Sequence, residues 1–172
     1  MLTLLLIACG TGSLSFNEQD RVLRSAWALD DDEARGILLS TSHLPCDTEG
    51  QKNPTEALLE TQEISHARSR EGSLLIWVPL ANETLPGEHR VTISGHEVLE
   101  AERMWTDGLI ANYRPTEIKE FTTEGLLQLD RLTTKHWFGS LNADSPALQA
   151  DFRADICPTP EVLQILGLIG LN

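Results

Sequence analysis

Positive charge is scarce in this chain. Its 172 residues carry 13 Lys and Arg against 26 Asp and Glu, a net charge of −13. Such a surface repels phosphate backbones and acidic headgroups, so no nucleic acid partner is expected. Long apolar runs are also missing, since a spanning helix needs roughly 20 apolar residues in a row. Catalytic signatures are absent. There is no G-x-S-x-G nucleophile elbow and no H-E-x-x-H. Neither G-x-x-x-x-G-K nor G-x-G-x-x-G occurs, so nucleotide binding has no support and no cofactor is expected. Aromatic residues are few: four Trp, four Phe and one Tyr.

What is present begins with the N-terminal run Met1-Leu2-Thr3-Leu4-Leu5-Leu6-Ile7-Ala8-Cys9, followed by the small residues Gly10-Thr11-Gly12-Ser13. A secretory signal combines a basic start, about 7–15 apolar residues and a small residue before the cut. Leu2 to Ala8 meets the last two requirements in minimal form. The basic start is lacking, because the first Lys or Arg is Arg21; an upstream start or a trimmed chain is expected. Leu6-Ile7-Ala8-Cys9 resembles the lipobox of bacterial lipoproteins. That resemblance implies cleavage before Cys9, a diacylglycerol on its sulfur and a protein held at the cell envelope by lipid. Gly10 stands where an Asp would imply retention at the inner membrane, so the resemblance implies the outer membrane. On this reading residues 1–8 are a signal remnant, 9–20 a tether and 21–172 one domain.

Three cysteines then divide as one plus two. With Cys9 acylated, Cys46 and Cys157 remain, and an even remainder in an exported protein reads as a disulfide. Closing a loop of that length contributes up to roughly 4–5 kcal/mol in the chain-entropy view, less any strain.

The remaining chain is read mainly as short strands. Arg21–Leu29 alternates, Asp30-Asp31-Asp32-Glu33 turns, and Arg35–Ser42 returns as a hairpin. Asn53-Pro54-Thr55-Glu56 has helix-start chemistry, and Arg68, Arg70 and Gly72 have helix-end chemistry, which predicts a surface helix over about 55–70. Leu74–Leu80 is short, apolar and rich in β-branched and aromatic residues, the pattern of a central strand buried on both faces with Pro79 at its end. His89–Ser94 alternates, and Gly95 is expected to turn the chain. Glu97–Trp105 fits strand or helix; Leu109–Tyr113, Ile118–Phe121 and Leu126–Leu132 fit short strands, and Lys135–Leu141 carries Trp137 and Phe138. Ala147–Cys157 alternates most regularly, with Leu148, Ala150, Phe152 and Ala154 on one face. Glu161–Leu171 is an apolar tail. About eight or nine short strands with one surface helix predict a mainly β fold, an antiparallel β-sandwich. The segment Phe152–Cys157, after Phe138-Gly139-Ser140-Leu141, resembles the close of small bacterial lipoproteins with a Phe-x-Ala-x-x-Cys ending, a group that implies location and no activity.

Candidate sites are thin. Asp30, Asp31 and Asp32 offer clustered carboxylates to a hard cation, but the spaced calcium-loop pattern is missing and a solvated turn is the simpler reading. The five histidines, His43, His66, His89, His96 and His136, show no metal-ligand spacing. Trp105 and Tyr113 could stack on a sugar, though aromatics in strands usually fill cores. The function expected is therefore a lipid-anchored envelope module that binds or builds without catalysis, with an envelope protein or a glycan as partner. An envelope hydrolase or metal-dependent enzyme of another type, and a carbohydrate-binding domain, are the alternatives.

Overall fold

A computed structural model describes residues 11–30, 35–44, 46, 66, 68–81, 84–106 and 110–157; of residues 11, 105, 106 and 110–112 it describes the backbone alone. Nine strands occur in order: β1 (Thr11–Phe16), β2 (Gln19–Val22), β3 (Ser25–Asp30), β4 (Arg35–Ser40), β5 (Leu74–Pro79), β6 (Gly87–Thr106), β7 (Ile110–Leu132), β8 (His136–Asp144) and β9 (Ala147–Ile156).

The strands form one sheet that closes on itself. Its order is β2-β1-β9-β3-β4-β5-β6-β7-β8, and β8 pairs back onto β9. Seven strands, β3 to β9, thus make a closed barrel, and β1–β2 is a hairpin added at the seam. An antiparallel sandwich is ruled out, because in two stacked sheets the last strand would not hydrogen-bond on both sides around a ring. The sheet is also mixed. β3 runs parallel to β9 through Trp27↔Asp155 and Ala28↔Ile156, while every other pairing is antiparallel. Seven narrow strands enclose little volume, and small residues suit that space. Ala26, Ala28, Ala150 and Ala154 lie in the core beside Ile37, Ile76, Leu127, Trp137 and Phe152.

Local pattern explains most elements. In β9 the burial alternates, Leu148, Ala150, Phe152 and Ala154 inward and Gln149 and Asp151 outward. A barrel that spans a bilayer has the reverse arrangement, apolar outside and polar within. β5 is buried from Leu74 to Val78 and ends on exposed Pro79, as its composition requires. β3 and β4 are buried on both faces too, with Trp27 donating its ring N–H to the Leu44 carbonyl at 3.2 Å.

Three sequence expectations give way. Residues 11–20, expected as tether, form β1 and the start of β2, with Leu14 and Phe16 buried. Arg21–Leu29 is not one strand but the end of β2 and the start of β3, interrupted at Leu23 and Arg24. Gly95 does not turn the chain; it lies inside β6, where Phe121 of β7 covers it. The expected short strands between His89 and Leu132 are therefore two long ones. Of the predicted helix, His66, Arg68 and Ser69 are helical and the Arg70 N–H bonds to the His66 carbonyl at 3.0 Å. The rest of it, and the tail 161–171, lie outside the described residues.

Beyond the barrel β6 and β7 continue as a two-stranded arm. β6 meets β5 only from Ser94 to Glu97, and β7 meets β8 only from Leu126 onward. Their mutual pairing runs on to Thr106↔Ile110, with register shifts at Val98/Glu100 and Glu100/Ala101. Bulges of this kind bend a strand and re-aim its outer half. At roughly 3.3 Å per residue the arm reaches about 25 Å past the sheet.

Candidate functional site

A polar depression lies where β2, β4, the helix end and the arm meet. Its wall is made by Arg21, Val22 and Arg24 from β2 and the following link, by Thr41 and Ser42 after β4, and by Arg70, Glu71, Gly72 and Ser73 before β5. A contiguous depression adds His43 and His66, and a third, toward the arm, adds Glu97, Leu99 and Lys119.

Gly72 shapes the cleft. Its φ of +78° closes the helix end, a conformation that side chains with a Cβ rarely adopt. Its N–H then bonds to the Val98 carbonyl at 2.9 Å, and the Val98 N–H to the Ser73 carbonyl at 2.9 Å, which ties the helix end to the root of the arm. Arg21 spans the floor. One guanidinium nitrogen donates to Glu97 Oε1 at 2.5 Å and another to the Gly72 carbonyl at 3.3 Å. Glu97 is almost wholly buried, its side chain 6% exposed, and follows Ile93 and Gly95 on the inward face of β6. The Arg21 guanidinium carbon also lies 5.7 Å from the centre of the Phe16 ring, which stacks on Phe121 at 5.1 Å.

The hydroxyls of the wall satisfy one another. Thr41 Oγ1 accepts from the Leu74 N–H at 2.8 Å. Ser73 Oγ donates to the His66 carbonyl at 3.2 Å, which leaves Ser42 Oγ to donate to Ser73 Oγ at 3.2 Å. These contacts stiffen the wall and leave the Arg24 and Arg70 guanidinium groups as the donors open to a ligand.

The sequence candidates fall elsewhere. Cys9 is outside the described residues. Cys46 and Cys157 form the expected disulfide, with Cα atoms 5.7 Å apart. Trp105 sits in the arm with its backbone opposite Ala111, and its side chain is outside the described residues. Tyr113, also in the arm, sets its ring edge-to-face against His66 at 5.2 Å and is half-buried, so one side of it is already covered. Asp30 pairs with Arg35 Nε at 3.1 Å, while Asp31 and Asp32 lie outside the described residues. No cluster of three metal-ligating side chains occurs among the described residues.

His43 and His66 share the contiguous depression, and the other three histidines lie apart. His89 Nε2 lies 2.7 Å from the Leu85 carbonyl, and buried His96 has Nε2 3.3 Å from the Arg68 carbonyl. His136 Nδ1 meets Asp155 Oδ1 at 2.6 Å, directly across β8–β9, with Arg153 Nε 3.5 Å from the same oxygen. That is a cross-strand polar cluster where β8 begins and β9 ends. The cleft itself left no trace in sequence spacing, because its arginines come from segments almost 50 residues apart.

Among the described residues no helix is long and apolar enough to cross a membrane. Comparison with protein-family models, with curated proteins and with solved structures found no match.

Proposed function

We propose that this protein is an exported lipoprotein, acylated at Cys9, that serves as a non-catalytic binding module of the bacterial envelope and makes contact through the β6–β7 arm and the cleft at its root. The arm is the observation that carries the reading. A two-stranded ribbon alone is marginal in water, so its length is a cost to the fold that a partner surface offsets. Among the described residues no third strand pairs with its edges over most of that length, the arrangement that accepts an added strand. Leu99, Met104 and Ile118 stand 38%, 43% and 44% exposed along it. The Cys46–Cys157 bridge supports export, because disulfides persist in oxidising compartments.

The test is the non-reduced intact mass of protein extracted from membranes after expression with its upstream coding sequence. The expected species starts at Cys9, carries acyl mass and lacks two hydrogens at Cys46 and Cys157. A soluble, unprocessed chain with three free thiols would overturn the export reading.

A further inference from the structure

We infer that the cleft walled by Arg24 and Arg70 is a binding site for a phosphate group, the chemistry shared by a phospholipid headgroup and a free phosphate ester. The inference deepens the binding-module reading and rests on it. Three observations meet here. First, cations are concentrated against the chain's overall charge. Of 13 Lys and Arg in a protein of net charge −13, Arg21, Arg24 and Arg70 line this one depression. Second, two of the three are uncommitted. Arg21 is held by Glu97 and the Gly72 carbonyl. Arg24 and Arg70 are exposed, and among the described residues no carboxylate pairs with either. Glu71 borders the same cleft without neutralising them. Two like charges facing one pocket repel, and an oxyanion that accepts from both relieves that repulsion; forked guanidinium donors match its oxygens. Third, the surroundings are rigid, because the Ser42–Ser73–His66 chain and the Gly72–Val98 contacts hold the wall.

The position of the cleft agrees with a membrane-side ligand. Val22, on its rim, is 69% exposed and pairs with Ser13 across the β1–β2 hairpin. Cys9 precedes Ser13 by four residues, a reach of at most about 14 Å. A lipid on Cys9 would therefore keep this rim near the headgroup layer.

The experiment uses the full chain carrying Cys9→Ser, so that no acyl group contributes. Inorganic phosphate is titrated at constant ionic strength while the Arg side-chain Nε–H resonances are followed by NMR. In parallel the chain is sedimented with vesicles of phosphatidylglycerol and phosphatidylcholine at 3:7. Saturable shifts of Arg24 and Arg70 are expected, weakened at least about fivefold by Arg24→Gln or Arg70→Gln, as loss of one charge-assisted contact requires. Phosphate saturation without sedimentation identifies a free phosphate ester. Sedimentation that either variant abolishes, with or without phosphate saturation, identifies a headgroup. The inference is overturned if neither probe binds, or if either variant binds like the parent. Should a Gln variant fail to fold, Arg24→Lys and Arg70→Lys replace it, and the parent titration alone still decides. Failure here leaves the acyl mass untouched, so it is distinguishable from failure of the export reading.

Discussion

At the scale of single residues, two backbone positions explain where pattern reading missed. Asn17 and Glu18 both have positive φ, 51° and 63°, and form the two-residue turn between β1 and β2. Hairpin turns of this hand favour Asn-Gly, and Glu in the second place hides the signal. Glu18→Gly should therefore raise stability by about 1 kcal/mol, the strain of a left-handed non-glycine residue less the added freedom of the unfolded chain. Urea denaturation checks it, and an unchanged midpoint would mean that the turn differs from this geometry. Gly95 misleads in the other direction. In sequence it resembles a turn, but a Cβ there would lie 2.0 Å from Phe121 Cζ, because the ring of Phe121 covers the glycine from the next strand. Gly95→Ala is expected to cost about 1–3 kcal/mol by pushing that ring into Phe16. A loss well under that range in the same denaturation assay would show that the ring can move aside freely.

At the scale of elements, burial separates the barrel from the arm. β3, β4 and β5 are buried on both faces; the continuous apolar run of β5 made it legible without a structure, whereas β3 was merged with the end of β2 in one alternating stretch. The arm has no such run. Glu100, Glu102, Arg103, Arg114, Thr116 and Glu117 are exposed along it, and over Glu97–Trp105 period and composition left strand and helix undecided. Its strand identity comes from cross-strand hydrogen bonds alone, which a single segment cannot reveal. Local opening costs least where few apolar contacts hold a backbone bond. Amide hydrogen exchange of Glu100–Met104 and Tyr113–Glu117 should accordingly be orders of magnitude faster than that of Leu74–Val78. Equal protection of the two segments in the isolated protein would mean that the arm is packed against a further surface.

At the scale of the whole molecule, closure is the deciding event. The seam joins β3 to β9 through two residue pairs and the Cys157 N–H bond to the Ala28 carbonyl at 2.9 Å. The Cys46–Cys157 bridge stands beside that short seam and spans 111 residues of chain. The double variant Cys46→Ala, Cys157→Ala should lose about 2–5 kcal/mol in denaturant unfolding. A parent-like midpoint would show that the two pairs hold the barrel unaided. The residues themselves determined the β-rich composition, the cysteine pairing, the central strand β5 and the alternation of β9, because each stems from local periodicity or from parity. Only the tertiary structure decided that the strands close into a ring, that β3 and β9 run parallel, that residues 11–20 join the sheet and that Arg21, Arg24 and Arg70 share one cleft. A strand's pattern records which of its faces is buried. It carries no record of which strand lies beside it, and closure and the cleft both depend on neighbours that are distant in the chain.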